Sequence, residues 1–346
     1  MAIRLQDIAD DLKLSKMTIS KVLRGQTDVS AETKVRVLKR MQELNYRPNI
    51  SARGLRTGQT LTIGLAVPGL SDPSISQVVA GVNEGARLDG YSVVITSADG
   101  DAEQEEREVE LQLSRQVDAL ILCLRDDASW LPQVLDTATV PVVVVGHAPP
   151  RFTGISVSVR ESEVGQLAVQ HLLERRCRRI AYLRGPRTPV ADMRFRGFLE
   201  EMRSAGVAVR QEWIIEAQPG DAGYRTGYET MQRLMSAKSL PDGVMTYTDL
   251  QAMGVRDAAL AAGVEISRQL RVLGCGNVQS ICETVTTLSS IDLAWRELGK
   301  RAAKTVLRGI AEKGSRTAPR SVQLSPRLVP RDSTREWSDT GRKKAK

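Results

Sequence analysis

The chain is poor in aromatic residues and contains no long apolar run. Aromatic residues make up 4% of its 346 residues, so we expect cores built mainly from Val, Leu, Ile, Ala and Met. No apolar run reaches the roughly 18 to 20 residues that a membrane-spanning helix needs. The N-terminal residues also lack the apolar centre of a signal peptide. These absences lead us to expect a cytoplasmic protein with no membrane partner.

Metal ligands and catalytic motifs are equally scarce. The sequence holds four cysteines and two histidines: Cys123, Cys177, Cys275, Cys282, His147 and His171. The cysteines form no CxxC pair, which predicts reduced thiols and no zinc site. The motifs GxxxxGK[ST], GxSxG and a GxGxxG following a strand are also absent. We therefore expect no catalytic residues, no metal and no cofactor, and we predict that the protein is not an enzyme.

The positive charge is concentrated near the N-terminus. Residues 1–60 contain 12 Lys or Arg and 6 Asp or Glu, whereas the remaining residues contain 37 and 35. This asymmetry is typical of a small module that contacts a polyanion. A solvated basic face would give the same counts, so the spacing of the residues is needed to distinguish it from a module that binds a polyanion.

Three amphipathic helices are predicted in this basic segment. Apolar spacing favours a first helix over residues 5–12, and Ser15 is a good N-cap for a second helix. Ser30 can cap a third helix, which is expected to bury Val37, Leu38, Met41 and Leu44. Three short helices with a tight turn between the first two predict a helix-turn-helix.

The second predicted helix has the composition of a DNA-recognition helix. It contains no acidic residue between Ser15 and Arg24. Its apolar face holds Ile19, Val22 and Leu23, and its opposite face holds Lys16, Met17, Thr18, Ser20, Lys21 and Arg24. Small hydroxyl groups beside cations suit close approach to phosphates and base edges, and such a helix fits the DNA major groove.

Residues 45–60, NYRPNISARGLRTGQT, differ abruptly in composition from the helices before them. A flexible linker is one interpretation. Asn49 can instead cap a short helix that contains Ile50, Ala52, Arg53, Leu55 and Arg56. A leucine flanked by arginines is unusual in a linker, and this favours the helix.

The rest of the chain alternates apolar strands with helices. Predicted strands lie at 61–67, 91–96, 118–124, 141–146, 179–185, 212–217, 243–248, 271–276 and 287–292. Predicted helices lie at 75–89, 102–116, 128–138, 192–205, 224–236, 250–262 and 293–312. Continuous apolar strands indicate parallel sheets buried on both faces. Two such sets predict two doubly wound subdomains with a ligand cleft at the carboxyl ends of the strands.

The segments LQDIADDLKLSKMTISKVL, VSAETKVRVLKRMQELNYRPN and SARGLRTGQT resemble the LacI family of bacterial transcription regulators, and the similarity continues collinearly. The resemblance implies an α/β fold with an all-α headpiece at 1–48, a hinge helix at 49–60 and a periplasmic-binding-protein-like core at 61–333. The core would comprise subdomain N (61–160 and 293–318) and subdomain C (161–292 and 319–333). The basic tail, 334–346, is expected to be disordered, with DNA contact as the alternative.

The resemblance also implies DNA-contacting residues. Base contacts are expected from Lys16, Met17 and Lys21, phosphate or backbone contacts from Thr18, Ser20, Ser30, Thr33 and Asn49, and hinge contacts from Ala52, Arg53 and Leu55. Leu55 would be the wedge that enters the minor groove. Leu5 completes the predicted DNA-binding set. Two positions depart from the family pattern: Lys13 stands where glycine is common, and Lys21 stands where arginine is usual.

An effector site is implied at the cleft. Its predicted residues are Asp72, Ser74, Ile75, His147, Arg194, Ala222, Thr248, Asp249 and Gly276. Compared with the family pattern, aromatic and acidic positions are lost while Arg194 remains. We therefore expect an anionic effector, a sugar acid or sugar phosphate, held by Arg194 with help from Arg125 or Arg184. A pocket without an effector, a neutral sugar and a purine-like ligand remain alternatives.

The family resemblance implies a repressor of carbohydrate-related genes under allosteric control. A homodimer on a pseudo-palindromic operator is expected, since two linked headpieces gain effective concentration. The tail has no heptads, which favours a dimer over a tetramer. A periplasmic binding protein is the main rival class, and the helix-turn-helix argues against it.

Overall fold

The computed structural model describes residues 3–23, 26, 28–46, 58–124, 128–149, 152–218, 221, 223–236, 240–278, 287–312 and 321–335. The chain divides into two units, Met1–Thr60 and Leu61–Lys346, and each is described by itself. None of the described helices is both long enough and apolar enough to cross a membrane.

The first unit is the predicted helix-turn-helix. Its helices are α1 (Leu5–Asp11), α2 (Lys16–Leu23) and α3 (Ala31–Glu43). They enclose a small core of Ile8, Ala9, Ile19, Val22, Val29, Val37 and Met41. The prediction that Leu38 is buried is wrong, because its side chain is 54% exposed. One residue after the buried Val37, it is rotated by about 100° to the outer side of α3.

Both predicted N-caps are present in this unit, and Lys13, which stands where glycine is common in the family, has left-handed backbone. Ser15 Oγ accepts the N–H of Thr18 at 3.0 Å, and Ser30 Oγ accepts the N–H of Thr33 at 3.2 Å. Each cap satisfies one of the backbone donors that the first turn of a helix leaves unpaired. Lys13, in the turn between α1 and α2, has a φ of +53°, so a lysine occupies left-handed backbone there.

The second unit contains two six-stranded sheets. The first comprises β1 (Thr62–Val67), β2 (Ser92–Ser97), β3 (Ala119–Leu122), β4 (Val142–Val145), β5 (Ile155–Val159) and β11 (Val322–Leu324), in the order β11-β5-β4-β3-β1-β2. The second comprises β6 (Ile180–Arg184), β7 (Ile214–Glu216), β8 (Gly243–Thr246), β9 (Arg271–Cys275), β10 (Ser289–Asp292) and β12 (Arg327–Val329), in the order β12-β10-β9-β8-β6-β7. All neighbouring strands are parallel except β12, which is antiparallel to β10.

The helices of the second unit complete two doubly wound subdomains, as predicted. They are α4 (Pro73–Arg87), α5 (Ala102–Ser114), α6 (Leu131–Thr137), α7 (Glu161–Glu174), α8 (Pro189–Ser204), α9 (Tyr224–Ser236), α10 (Asp249–Ala261) and α11 (Trp295–Ala311). On β3, Ala119 and Ile121 pack into one apolar cluster while Leu120 and Leu122 pack into another. The strand is therefore buried on both faces, which explains its continuous apolar sequence.

The predicted boundary between the subdomains at residue 319 is wrong. The segment Val322–Leu324 pairs in parallel with β5 and so belongs to the first sheet, whereas Arg327–Val329 pairs with β10 in the second. The chain therefore crosses between subdomains at 159–161, 292–295 and 324–327. The strands β5, β11 and β12 did not appear among the predicted strands, because they are short or alternate in polarity.

The C-terminal boundary also needs correction. The predicted tail begins at residue 334, but Thr334 is fully buried in a 3-10 turn, Asp332–Thr334. Its Oγ1 lies 2.7 Å from His171 Nε2 and 2.6 Å from Ser289 Oγ. Burial lowers the pKa of His171 to about 4, consistent with a neutral structural histidine. The ordered core therefore includes Thr334, and residues 336–346 lie outside the described part of the chain.

Candidate DNA-binding helix and effector cleft

The exposed face of α2 carries cationic and apolar groups side by side. Lys16 is exposed, and Met17 is 67% exposed although methionine is usually buried. Thr18 is half-buried beside them, and its Oγ1 shares a 2.8 Å hydrogen bond with Ser15 Oγ. An ammonium group, a thioether and hydroxyls near one helix N-terminus can contact phosphates, base edges and thymine methyl groups.

Lys21 has an intramolecular partner. Its Nζ forms an ion pair with the carboxylate of Asp28, in the segment between α2 and α3. Both side chains remain partly exposed, at 34% and 52%. A DNA contact by Lys21 therefore has to compete with this carboxylate, and exposed pairs of this kind are worth at most about 1 kcal/mol.

Several predicted DNA contacts are buried or partly buried, or lie outside the described residues. Ser20 was placed on the outer face of α2, but it is only 6% exposed, so that placement is wrong. Leu23, three residues further along α2, packs partly buried against the headpiece core and lies beside Ser20 on the helix surface. Leu5 packs partly buried against the headpiece core. The hinge residues Asn49, Ala52, Arg53 and Leu55 lie outside the described residues.

A cleft of about 540 Å³ lies between the two subdomains of the second unit. Loops that follow β1, β3 and β4 line it from one side, and loops that follow β6, β8 and β9 line it from the other. This is the carboxyl-end position where doubly wound sheets bind ligands. The structure brings eight of the predicted effector residues to its wall: Asp72, Ser74, Ile75, His147, Arg194, Thr248, Asp249 and Gly276. The ninth, Ala222, lies outside the described residues.

Sequence reasoning missed four chemically important wall residues: Glu161, Asp221, Tyr247 and Trp295. A phenol and an indole therefore line the pocket, although the positions compared with the family pattern, Ser74 and Ile75 among them, carry no aromatic side chain. Tyr247 directly follows β8, and this position at a strand end was the available signal. Trp295 begins α11 after a subdomain crossover, a position that strand periodicity does not reveal.

Arg194 is buried in an ion pair within the cleft wall. Arg194 is only 4% exposed, and its Nε donates a hydrogen bond to Glu161 Oε2 at 2.6 Å. Its Nη1 donates to the carbonyl of Tyr247 at 3.4 Å, and the guanidinium lies 4.7 Å from the centre of the Tyr247 ring. Burial works to lower the pKa of Arg194, but the Glu161 carboxylate raises it, and the pKa lies above its usual range.

Two of the three arginines predicted to hold an anionic ligand are described by the structure, and both are paired with carboxylates. Arg194 is already neutralised by Glu161. Arg184 pairs with Asp192 and Glu216 and packs over Phe195, at 4.4 Å from the ring centre. It is not among the residues that line the cleft. Arg125 lies outside the described residues.

Two predicted ligand carboxylates fix the cleft loops. Asp249 Oδ2 accepts the N–H of Val278 at 2.7 Å, and Asp249 Oδ1 accepts the hydroxyl of Ser290 at 2.6 Å. Burial raises the pKa of Asp249, partly offset by these hydrogen bonds. Asp72 is the N-cap of α4, and its Oδ1 accepts hydrogen bonds from the N–H and the hydroxyl of Ser74. Both carboxylates thus form hydrogen bonds within the cleft wall.

The charged groups along the described wall are predominantly acidic. Asp72, Glu161, Asp221 and Asp249 are carboxylates, and Arg194 is the guanidinium among them. Within the described part of the chain, no cluster of three His, Cys, Asp or Glu side chains has the arrangement of a metal site. The wall therefore offers aromatic faces and hydrogen-bond acceptors more than positive charge.

Comparison with known proteins agrees with this architecture. A family of bacterial regulatory proteins, the lacI family, matches residues 4–49, and a periplasmic binding protein-like domain matches residues 169–334. The HTH-type transcriptional repressor PurR of Pasteurella multocida (strain Pm70) is 27% identical over 335 residues, covering 96% of this chain and 98% of the relative. The ribose operon repressor of Escherichia coli (strain K12) is 29% identical over 334 residues, covering 95% and 99%.

Solved structures are also similar to this chain over nearly its whole length. The lac repressor dimer bound to operator and the anti-inducer ONPF has a TM-score of 0.81 and 26% identity, with 96% of this chain and 99% of that chain covered. The complex of the transcriptional regulator CelR with cellobiose has a TM-score of 0.70 and 25% identity, with the same coverage. Both similarities include the headpiece and the core. The chain therefore combines a lacI-family regulatory domain with a periplasmic binding protein-like domain, and these relatives and solved structures are transcriptional repressors or regulators.

Proposed function

We propose that this chain is a DNA-binding transcriptional repressor whose affinity for its operator is controlled by a small molecule in the cleft. The observation that carries the proposal is the outer face of α2, where Lys16 and Met17 are exposed on an acid-free helix. The same chain carries a cleft of about 540 Å³ between two subdomains, which can hold a small ligand. Similarity to transcriptional repressors over both units supports a functional link between DNA binding and the cleft.

In the proposed complex, α2 lies in the major groove. Lys16, Met17 and Lys21 contact base edges, while Thr18, Ser30 and Thr33 contact phosphates. Lysine binds guanine without the bidentate geometry of arginine, so the operator sequence will differ from those of relatives with arginine at position 21. Asn49, Ala52, Arg53 and Leu55 are proposed to form the hinge, with Leu55 inserted at a deformable central step.

The proposed effector is a neutral, hydroxyl-rich molecule, with a neutral sugar favoured. Tyr247 and Trp295 offer aromatic faces to a sugar ring, and the wall carboxylates and His147 offer hydrogen-bond partners for hydroxyls. The pairing of Arg194 with Glu161 argues against the sugar acid or sugar phosphate that the sequence favoured. A purine is the second candidate, because the same aromatic faces can stack on a planar base.

Control of DNA binding is proposed to act through a homodimer in the cytoplasm. Two headpieces on a pseudo-palindromic operator gain effective concentration, and this links specificity to the distance between the headpieces. A ligand that shifts the subdomains changes that distance. A coupling free energy of about 1–3 kcal/mol would change operator affinity by roughly 5–150-fold.

Operator selection followed by effector titration tests the proposal. Purified protein would be used to select sequences from a random duplex library, and we expect a palindromic consensus. Operator binding would then be titrated with glucose, ribose, cellobiose, hypoxanthine and glucose 6-phosphate. A neutral ligand that shifts the operator Kd at least 5-fold supports the proposal. A response confined to glucose 6-phosphate would contradict the effector class, and selection of no sequence would contradict the DNA-binding role.

A further inference from the structure

Glu161 occupies an unusual place in the fold. It is the first residue of α7, directly after the chain passes from β5 of the first sheet into the second subdomain. Its side chain lines the ligand cleft and is only 9% exposed. A carboxylate in such a site needs a close partner, since burying an unpaired charge is strongly unfavourable.

The partner is supplied by a close crossing of two helices. A Cβ atom added to Gly165 on α7 would lie 2.1 Å from the carbonyl oxygen of Arg194 on α8, and one added to Gly197 would lie 1.9 Å from that of Ser162. The two glycines therefore allow the helix backbones to touch. This contact places Glu161 Oε2 at 2.6 Å from Arg194 Nε.

We propose that Glu161 determines the charge of the ligand that the cleft accepts. Its carboxylate cancels the charge of Arg194, so an anionic ligand gains no net attraction unless the buried pair is broken. Among the described contacts of this carboxylate, Arg194 engages Oε2 and none engages Oε1. The second oxygen can accept a hydrogen bond from a ligand hydroxyl or amine.

The inference rests on the proposed function, because it assigns a role within the proposed effector site. Beyond that function, one residue pair, Glu161 and Arg194, is assigned the exclusion of anionic ligands. The remaining wall carboxylates act in the same direction, since Asp72, Asp221 and Asp249 add negative charge around the cleft. Removing the charge of Glu161 alone leaves Arg194 as an unpaired cation that an anion can bind.

The test is a change of ligand preference in Glu161→Gln. Glutamine keeps the size of the side chain and an oxygen that can accept the Arg194 hydrogen bond. The matched control is Glu163→Gln, which makes the same change two residues along α7, at a side chain that pairs with Arg160 and is not among the residues lining the cleft. Glucose, glucuronate and inorganic phosphate are the probes, and isothermal titration calorimetry measures their Kd values.

We expect Glu163→Gln to bind glucuronate with the same affinity as wild type, and to bind phosphate with the same affinity as wild type. Glu161→Gln should gain at least 10-fold in affinity for both anions, and this gain should vanish in the Glu161→Gln, Arg194→Gln double variant. A gain of binding requires a folded cleft, so loss of structure cannot imitate it. A folded Glu161→Gln protein with unchanged anion affinity would overturn the inference.

A second variant covers the case in which Glu161→Gln does not fold. Arg194→Gln leaves Glu161 as an unpaired carboxylate, and Arg196→Gln, at an exposed position on the same helix, is its control. We expect Arg194→Gln to raise the affinity ratio of glucosamine to glucose at least 10-fold over Arg196→Gln. An unchanged ratio would contradict the inference.

Failure of the inference and failure of the proposed function give different results. If a neutral sugar controls operator binding of the wild type but neither charge variant changes ligand preference, the function stands and the inference fails. If the variants change preference but no ligand affects operator binding, the charge assignment stands and the regulatory function fails.

Discussion

Lys13 is the position where a single substitution should stabilise the headpiece. It lies in the turn between α1 and α2, its side chain is exposed, and its φ is +53°. A side chain with a Cβ pays roughly 1–2 kcal/mol for left-handed backbone, and glycine does not. Replacement by glycine also increases the freedom of the unfolded chain, which offsets part of the gain. We therefore expect Lys13→Gly to stabilise the unit by about 0.5–1 kcal/mol.

Asn45 provides the matched control for this prediction. It has a φ of +47° just after α3 and is also exposed. Asparagine tolerates left-handed backbone better than lysine does, so Asn45→Gly should stabilise the unit less. The two variants therefore separate relief of backbone strain from any general effect of adding glycine.

Hydrogen exchange of the full-length protein, followed by mass spectrometry, measures the effect in the intact chain. A gain of about 1 kcal/mol would slow exchange of amides in α1 and α2 by roughly 5-fold, provided that the headpiece opens as one unit. The core is the internal reference, and its exchange should not change. Exchange in α1 and α2 that is equal to or faster than wild type would refute the assignment of strain to Lys13.

Three further predictions concern charge, DNA bending and pH. Asp28→Asn frees Lys21 from its ion pair, so operator affinity measured by fluorescence anisotropy should rise about 2–5-fold, within the range of an exposed pair; weaker binding would count against Lys21 as a DNA contact. Leu55→Ala should reduce operator bending in a gel-shift or FRET assay more than it reduces nonspecific affinity, and unchanged bending would exclude a wedge. His171 has a pKa of about 4 in the folded protein and about 6.5 in the unfolded chain. As the pH falls below about 6.5, the unfolded chain therefore binds a proton at this residue before the folded protein does. Core stability should therefore fall by about 2 kcal/mol between pH 7 and pH 5, and this dependence should be smaller in His171→Asn; equal dependence in both proteins would refute it.

The sequence predicted most of the fold because its signals are local. Continuous apolar strands such as β3 and β4 are buried on both faces, and capping residues such as Ser15 and Ser30 mark helix starts. The three-residue strands β11 and β12 were harder to predict. A three-residue strand such as Val322–Leu324 has too few positions to show a period, and only its pairing with β5 assigns it to a subdomain.

The candidate sites divide in the same way. Residues such as Asp72 and Asp249 follow strands or begin helices, so topology brings them to one cleft. The state of Arg194 could not be predicted, because its partner Glu161 is 33 residues away and meets it only through a close helix crossing. The burial of Ser20 could not be predicted either, because its hydroxyl favoured the outer face of α2 although it lies beside Leu23, which packs against the headpiece core.

The central claim is that α2 recognises a DNA sequence. Its most direct test is to measure the affinity of wild type, Lys21→Ala and Lys39→Ala for the selected operator and for a scrambled duplex over a range of salt concentrations. Lys39 is an exposed lysine of α3 and controls for loss of one positive charge. We predict that Lys21→Ala loses about 1–3 kcal/mol on the operator and relaxes preference at one base position, while Lys39→Ala keeps the wild-type preference. If Lys21→Ala binds the operator with unchanged affinity and base preference, Lys21 does not contact a base and the proposed recognition surface of α2 is contradicted.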